Sequence, residues 1–112
     1  MTVSNMAEAL ALTPIALPEG DREIEGAYVG DLLSWVMGRA QSGNAWITIM
    51  SNLNIVAVAS LADVACIVLA EGVTLDETVA TTALEKGVNV FSTSKTAYEI
   101  ASMLSKLGIW KS

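Results

Sequence analysis

The chain has 112 residues, 53% of them hydrophobic, and its twelve acidic and six basic side chains leave a net charge of −6 at neutral pH. That length suits one domain, read here as spanning residues 1–112. The acidity, with no Lys or Arg cluster, argues against nucleic-acid binding and docking on anionic lipid, and the complete absence of His excludes imidazole catalysis and His-ligated metals.

At the start, MTVSNMAEALAL lacks a basic leader and turns polar early, so no signal peptide and a cytoplasmic setting are expected. Ser4 is placed to cap a short helix through Leu12, which Pro14 and Pro18 prevent from continuing. Gly20-Asp21 reads as a turn before a strand over residues 24–29. Glu23 and Glu25 lie on one side at period two, the pattern of a solvated face rather than an acid–base couple. Asp31 reads as the cap of the next helix, with Leu32, Leu33, Val36, Met37 and Ala40 facing inward and residues 41–44 as its exit loop.

The stretch ITIMSNLNIVAVASLADVACIVLA, residues 47–70, holds a single formal charge, Asp63. Hydropathy alone does not reject a membrane span, because its Ile, Val and Leu residues offset one carboxylate. Its polar residues, however, are grouped at Ser51-Asn52, Asn54, Ser60 and Asp63, and basic flanks are missing. Grouping of that kind predicts a strand over 46–50, a helix over 53–62 capped by Ser51 or Asn52, and a strand over 65–70. Both strands are nearly continuous apolar runs, as expected when helices cover both faces of a sheet. Cys66, the only cysteine, then reads as a buried inert thiol, and no disulfide can form within the chain.

Further on, Glu71-Gly72 reads as a turn, and Thr74 with Glu77 has capping-box spacing for a helix to Lys86. Leu75, Val79, Ala80, Ala83 and Leu84 form its apolar stripe, and Gly87 ends it. A strand over 88–91 follows. Thr96 and Glu99 repeat the box spacing, with Ala97, Ile100, Ala101, Leu104 and Leu107 inward before Gly108. Alternating helix and strand throughout predict an α/β fold, a mostly parallel sheet flanked by helices and joined by right-handed crossovers.

No GxxxxGK[ST] loop and no GxGxxG after a strand is present, which argues against a P-loop kinase or a Rossmann dehydrogenase; no cofactor is predicted. Loops at the carboxyl ends of parallel strands converge on a candidate crevice. They hold Ser51, Asn52 and Asn54, then Glu71 and Gly72, then Ser92, Thr93 and Ser94. Asn52, Asn54, Ser92 and Thr93 are the candidate ligand-binding residues; the same side chains equally suit helix caps and turns. Trp35 and Trp110 fit their neighbours' apolar stripes poorly and are candidates for a subunit contact. A hydrolase using Asp31 or Glu71 is the enzymatic alternative.

GDREIEGAYVGDLLSWVMGRA and WITIMSNLNIVAVASLADVACIVLAEG, with the helix after STSKTAYE, resemble the DRTGG domain family over residues 20–109. Asp21, Arg22 and Gly26 match the naming motif in kind, Asp31 follows it, and Glu23, Ile24 and Glu25 depart from it. The resemblance implies a fold similar to the N-terminal domains of HPr kinase/phosphorylase and of Mur ligases. It also implies an accessory regulatory module, found beside CBS domains in pyrophosphatases and often linked to dimer formation. From it follow expectations of a homodimer, a small effector such as an adenine nucleotide, and a partner protein such as an iron-only hydrogenase complex. A purely structural homodimerisation module without ligand is the alternative. The kinase's P-loop domain is missing from this sequence, so the resemblance does not extend to HPr serine kinase activity.

Overall fold

The computed structural model describes residues 1–111. In chain order its elements are α1 (Val3–Ala9), β1 (Thr13–Ala16), β2 (Gly26–Val29), α2 (Leu33–Arg39), β3 (Asn44–Thr48), α3 (Asn54–Ala62), β4 (Cys66–Leu69), α4 (Glu77–Glu85), β5 (Val90–Ser92) and α5 (Ala97–Lys106). The five strands form one sheet in the order β1-β5-β4-β3-β2, parallel except for β1, which runs antiparallel to β5.

Because β2 to β5 step across the sheet in one direction, right-handed crossovers put α2, α3 and α4 on one face. Side-chain alternation explains why the strands read as unbroken apolar runs. In β3 and β4, Trp46, Ile67 and Leu69 pack with Val36, Ile55 and Ala83 of those helices, whereas Ala45, Ile47, Cys66 and Val68 pack with Met6, Leu10, Ile100 and Leu104 of α1 and α5. Residues 47–70 are thus the end of β3, α3 and β4; no described helix is long and apolar enough to cross a membrane. Cys66 is buried, and loss of hydration pushes its thiol pKa up to about 12.

Local chemistry set several ends differently from the sequence-based expectation. Thr2, not Ser4, caps α1 by accepting from the Asn5 N–H at 3.1 Å. The chain turns at Ala11, whose φ is +54°, and runs straight into β1, an element not expected from the sequence. Pro14 is tolerated because β1 is an edge strand with a register shift between Pro14 and Ala16. Leu32 precedes α2 with no side-chain cap, so Asp31 is not the cap. Asp76 precedes α4 without a side-chain cap, and Thr74 lies outside the helix start. Thr96 and Glu99 do form the reciprocal box of α5. Among residues expected inward, Val36, Val79, Ala83, Ile100 and Leu104 are buried, whereas Leu32, Met37, Leu84 and Leu107 are exposed.

Candidate functional site

The candidate residues divide between the two ends of the sheet, separated by strands of four or five residues, about 15 Å at ~3.3 Å per residue. Asp31, Asn52, Asn54, Ser92 and Thr93 lie at the carboxyl ends of β2, β3 and β5, while Asp21, Arg22 and Gly26 lie at the amino ends. Within the first group, β4 intervenes between the loops after β3 and β5.

At the carboxyl ends, the polar side chains serve the backbone around them. The Asp31 carboxylate accepts from the Thr48 hydroxyl at 2.8 Å and from the Ile49 N–H at 3.0 Å, tying the exit of β2 to that of β3. Asn52 Oδ1 accepts from the Asn54 N–H at 2.9 Å, an Asx turn that satisfies a free amide at the start of α3. The Thr93 hydroxyl accepts from the Lys95 N–H at 3.2 Å. Between β4 and β5 the outgoing chains leave to opposite faces, the arrangement that opens a crevice in other α/β sheets. Here the gap is stitched shut: the Glu71 N–H donates to the Lys95 carbonyl at 2.9 Å and the Gly72 N–H to the Thr93 carbonyl at 2.9 Å. Positive φ at Glu71 (+60°) and Gly72 (+78°) turns those two amides toward their acceptors.

The amino ends hold a joint that the motif residues help to build. Arg22 donates to Asp63 Oδ1 at 2.9 Å and to the Asp63 carbonyl at 2.7 Å, and the Ser42 hydroxyl donates to the other carboxylate oxygen. Asp63 ends α3 in the left-handed conformation, φ +58°. The bonds from Arg22 and Ser42 hold its carboxyl below the usual carboxylate range. Arg22 therefore pairs with Asp63, not with Asp21 or Asp31, and its guanidinium is already engaged as a phosphate would have required.

Beside it, Glu19, Arg22, Ser60, Asp63, Lys86 and Gly87 bound a cavity of about 100 Å³. Opposite charges offset each other there, and the carbonyl ends of α3 and α4 face it, which disfavours an anion. Buried Asn89 completes the joint, accepting from the Glu19 N–H at 2.8 Å and donating to the carbonyls of Glu19 at 2.8 Å and Ala65 at 3.0 Å. Sequence reasoning missed both Asp63 and Asn89. For Asp63 the signal was there, as the one charge in a long apolar run. Asn89, between two valines in a strand pattern, gave the comparable hint of a polar group in need of partners.

Apolar side chains lie on the outside instead. Leu53 is 50% exposed and Leu61 72%, around a groove between α3 and α4 of about 330 Å³ that Val56 and Ala57 floor and that Thr82 and Lys86 of α4 close. Trp35 is half-exposed, with the Arg39 guanidinium stacked 3.8 Å from its ring centre.

The fold is similar to that of a crystal structure of the CBS and DRTGG domains of the regulatory region of Clostridium perfringens pyrophosphatase complexed with its activator, diadenosine tetraphosphate. The TM-score is 0.72 at 14% sequence identity, with 92% of this chain and 45% of that one covered, so this chain spans less than half the length of that structure. No curated protein sequence matches the chain. The DRTGG domain family matches residues 19–107, most of the sequence and the whole run from before β2 to the end of α5, and the chain belongs to that family.

Proposed function

We propose that this chain is a non-catalytic regulatory domain that pairs with a second copy of itself and docks on a partner enzyme. The observation that carries the reading is the outer face of α3. Its nine residues, NIVAVASLA, hold no charge, and Leu53, Ala57 and Leu61 line up at spacing four along its exposed side, beside Thr82 and Lys86 of α4. In a chain of net charge −6, two copies approach most readily where neither presents a carboxylate. The stitched loops after β4 and β5 favour docking over a ligand crevice, and the engagement of Asp31 with Thr48 and Ile49 weighs against a hydrolase. The setting is the cytoplasm, and an iron-only hydrogenase complex is the partner to try first, on the strength of the family resemblance.

A small-effector reading keeps one support, the activator complexed with the similar pyrophosphatase regulatory region. In it Asn52 and Thr93 exchange their local bonds for a nucleotide, with Asn54 and Ser92 beside them. One experiment addresses both readings. Sedimentation of the purified chain and of Leu61→Glu is combined with thermal unfolding against adenine nucleotides, diadenosine tetraphosphate included. The wild type is expected to sediment as a dimer and the folded variant as a monomer. A monomeric wild type rejects the pairing, and a concentration-dependent rise in midpoint with one nucleotide establishes the effector reading.

A further inference from the structure

The outer edge of β2 is the free parallel edge of the sheet, and residues 109–111 lie along only part of it. The Ala27 N–H points away from β3 and donates to the Lys111 carbonyl at 2.8 Å. Gly26 makes that approach feasible, because a Cβ there would stand 2.5 Å from the same oxygen. Ile109 anchors the segment, its N–H donating to the Leu104 carbonyl at 2.9 Å and its half-buried side chain packing on the core beneath α5; beyond Ile109 the bond to Ala27 is the one backbone tie among the described residues. Trp110 is 76% exposed, and open cavities of about 280 Å³ and 270 Å³ flank the segment on either side. It leaves α5 through Gly108, whose φ is +89° and whose surroundings are empty within 4 Å of a built Cβ. Two residues past Ala27, strand alternation turns the Val29 backbone groups outward as well; the segment makes no bond to them, and the Val29 side chain is 50% exposed.

We propose that this edge is a docking site at which an extended segment of a partner protein adds as a further strand beside β2, and that residues 109–111 are a displaceable strap filling its first position. The strap defines the chemistry of the occupant. Ile109 and Trp110 line the two cavities, and the exposed carboxylate Glu25 at the entry to β2 shares one of them with Lys111, so the edge takes an apolar-aromatic run followed by a basic residue. Backbone bonds to Ala27 and Val29 give such a segment its affinity and the cavities its selectivity. The proposal rests on the docking reading above and names its surface.

The probe is the free peptide Leu-Gly-Ile-Trp-Lys-Ser, titrated into the full chain while amide resonances are followed. Releasing the strap with Ile109→Asp frees the edge, so the peptide is expected to move the Ala27 and Val29 amides and to bind at least about five-fold tighter than to wild type, since a cis competitor reduces the competent fraction. Val29→Pro removes an outward donor and leaves the β3 ladder intact, and Gly26→Ala places a methyl against the incoming carbonyl. Each is expected to abolish peptide binding with the Ala45 and Ile47 resonances unchanged; if Gly26→Ala disturbs those resonances, Val29→Pro decides. Equal affinity for wild type and Ile109→Asp, binding that survives Val29→Pro, or no perturbation at β2 would overturn the proposal. No peptide binding by Ile109→Asp in a chain that still sediments as a dimer rejects the strand addition alone, whereas a monomer that binds the peptide at β2 rejects only the pairing.

Discussion

Asp63 carries three jobs in one side chain: it ends α3 in a left-handed turn, receives Arg22 from the β1–β2 connection and receives Ser42 from the loop before β3. Its folded pKa lies below the unfolded value of about 3.9, so the stability it contributes is complete at neutral pH and is lost as pH falls from about 4 toward the lowered folded value. The carboxylate is 60% exposed, and solvent screening keeps such a pair to about 0.2–1 kcal/mol. Asp63→Asn is the informative substitution, because Asn also tolerates left-handed backbone. Urea unfolding should show the variant less stable by about that amount at pH 7. Below about pH 4 the two proteins should converge. A gap that stays constant with pH would mean that the turn, not the charge, matters.

Two identical spacings gave different outcomes at the level of elements. Thr96 and Glu99 exchange bonds at 3.1 Å and 3.0 Å around the start of α5, while Thr74 and Glu77 do not meet because the N-cap of α4 is Asp76, two residues further along the chain. What separates them is where tertiary packing starts the helix. Glu99's carboxyl is held low by the Thr96 backbone N–H and then by its hydroxyl, consistent with a formed box. Thr96→Ala should therefore destabilise the protein by about 1 kcal/mol in chemical denaturation. Thr74→Ala should stay within about 0.5 kcal/mol. Similar losses for both would show that side-chain capping is not what sets these ends. β1 makes the complementary point: its four residues, TPIA, carry a proline that reads as a breaker until an edge position removes the need for its N–H.

Across the whole molecule, an excess of carboxylates surrounds one uncharged helical face. Two such bodies repel through solvent, yet the contact proposed at α3 and α4 removes apolar surface from water. Raising salt from about 0.05 M to 0.5 M shortens the screening length several-fold and should tighten self-association. Sedimentation across that range checks the sign, and weakening with salt would point to an interface of ion pairs elsewhere. The groove and the β2 edge sit at different places on the surface, so pairing and strand addition are compatible in one assembly.

The sequence by itself determined the kinds of element and most of their order. Helical stripes such as Val79 with Ala83 and Ile100 with Leu104, and unbroken apolar strands such as residues 66–69, express local geometry that any α/β packing must honour. It also marked Cys66 as interior. Only the tertiary structure decided which strands are neighbours, that Arg22 meets Asp63 across the β1–β2 connection and α3, that Asn52 and Arg22 lie at opposite ends of the sheet, and that Gly26 receives a carbonyl from Lys111. Periodicity and capping are written within a few residues of where they act. Partner choice between distant segments is set by how the layers close over a shared core, and no local pattern carries it.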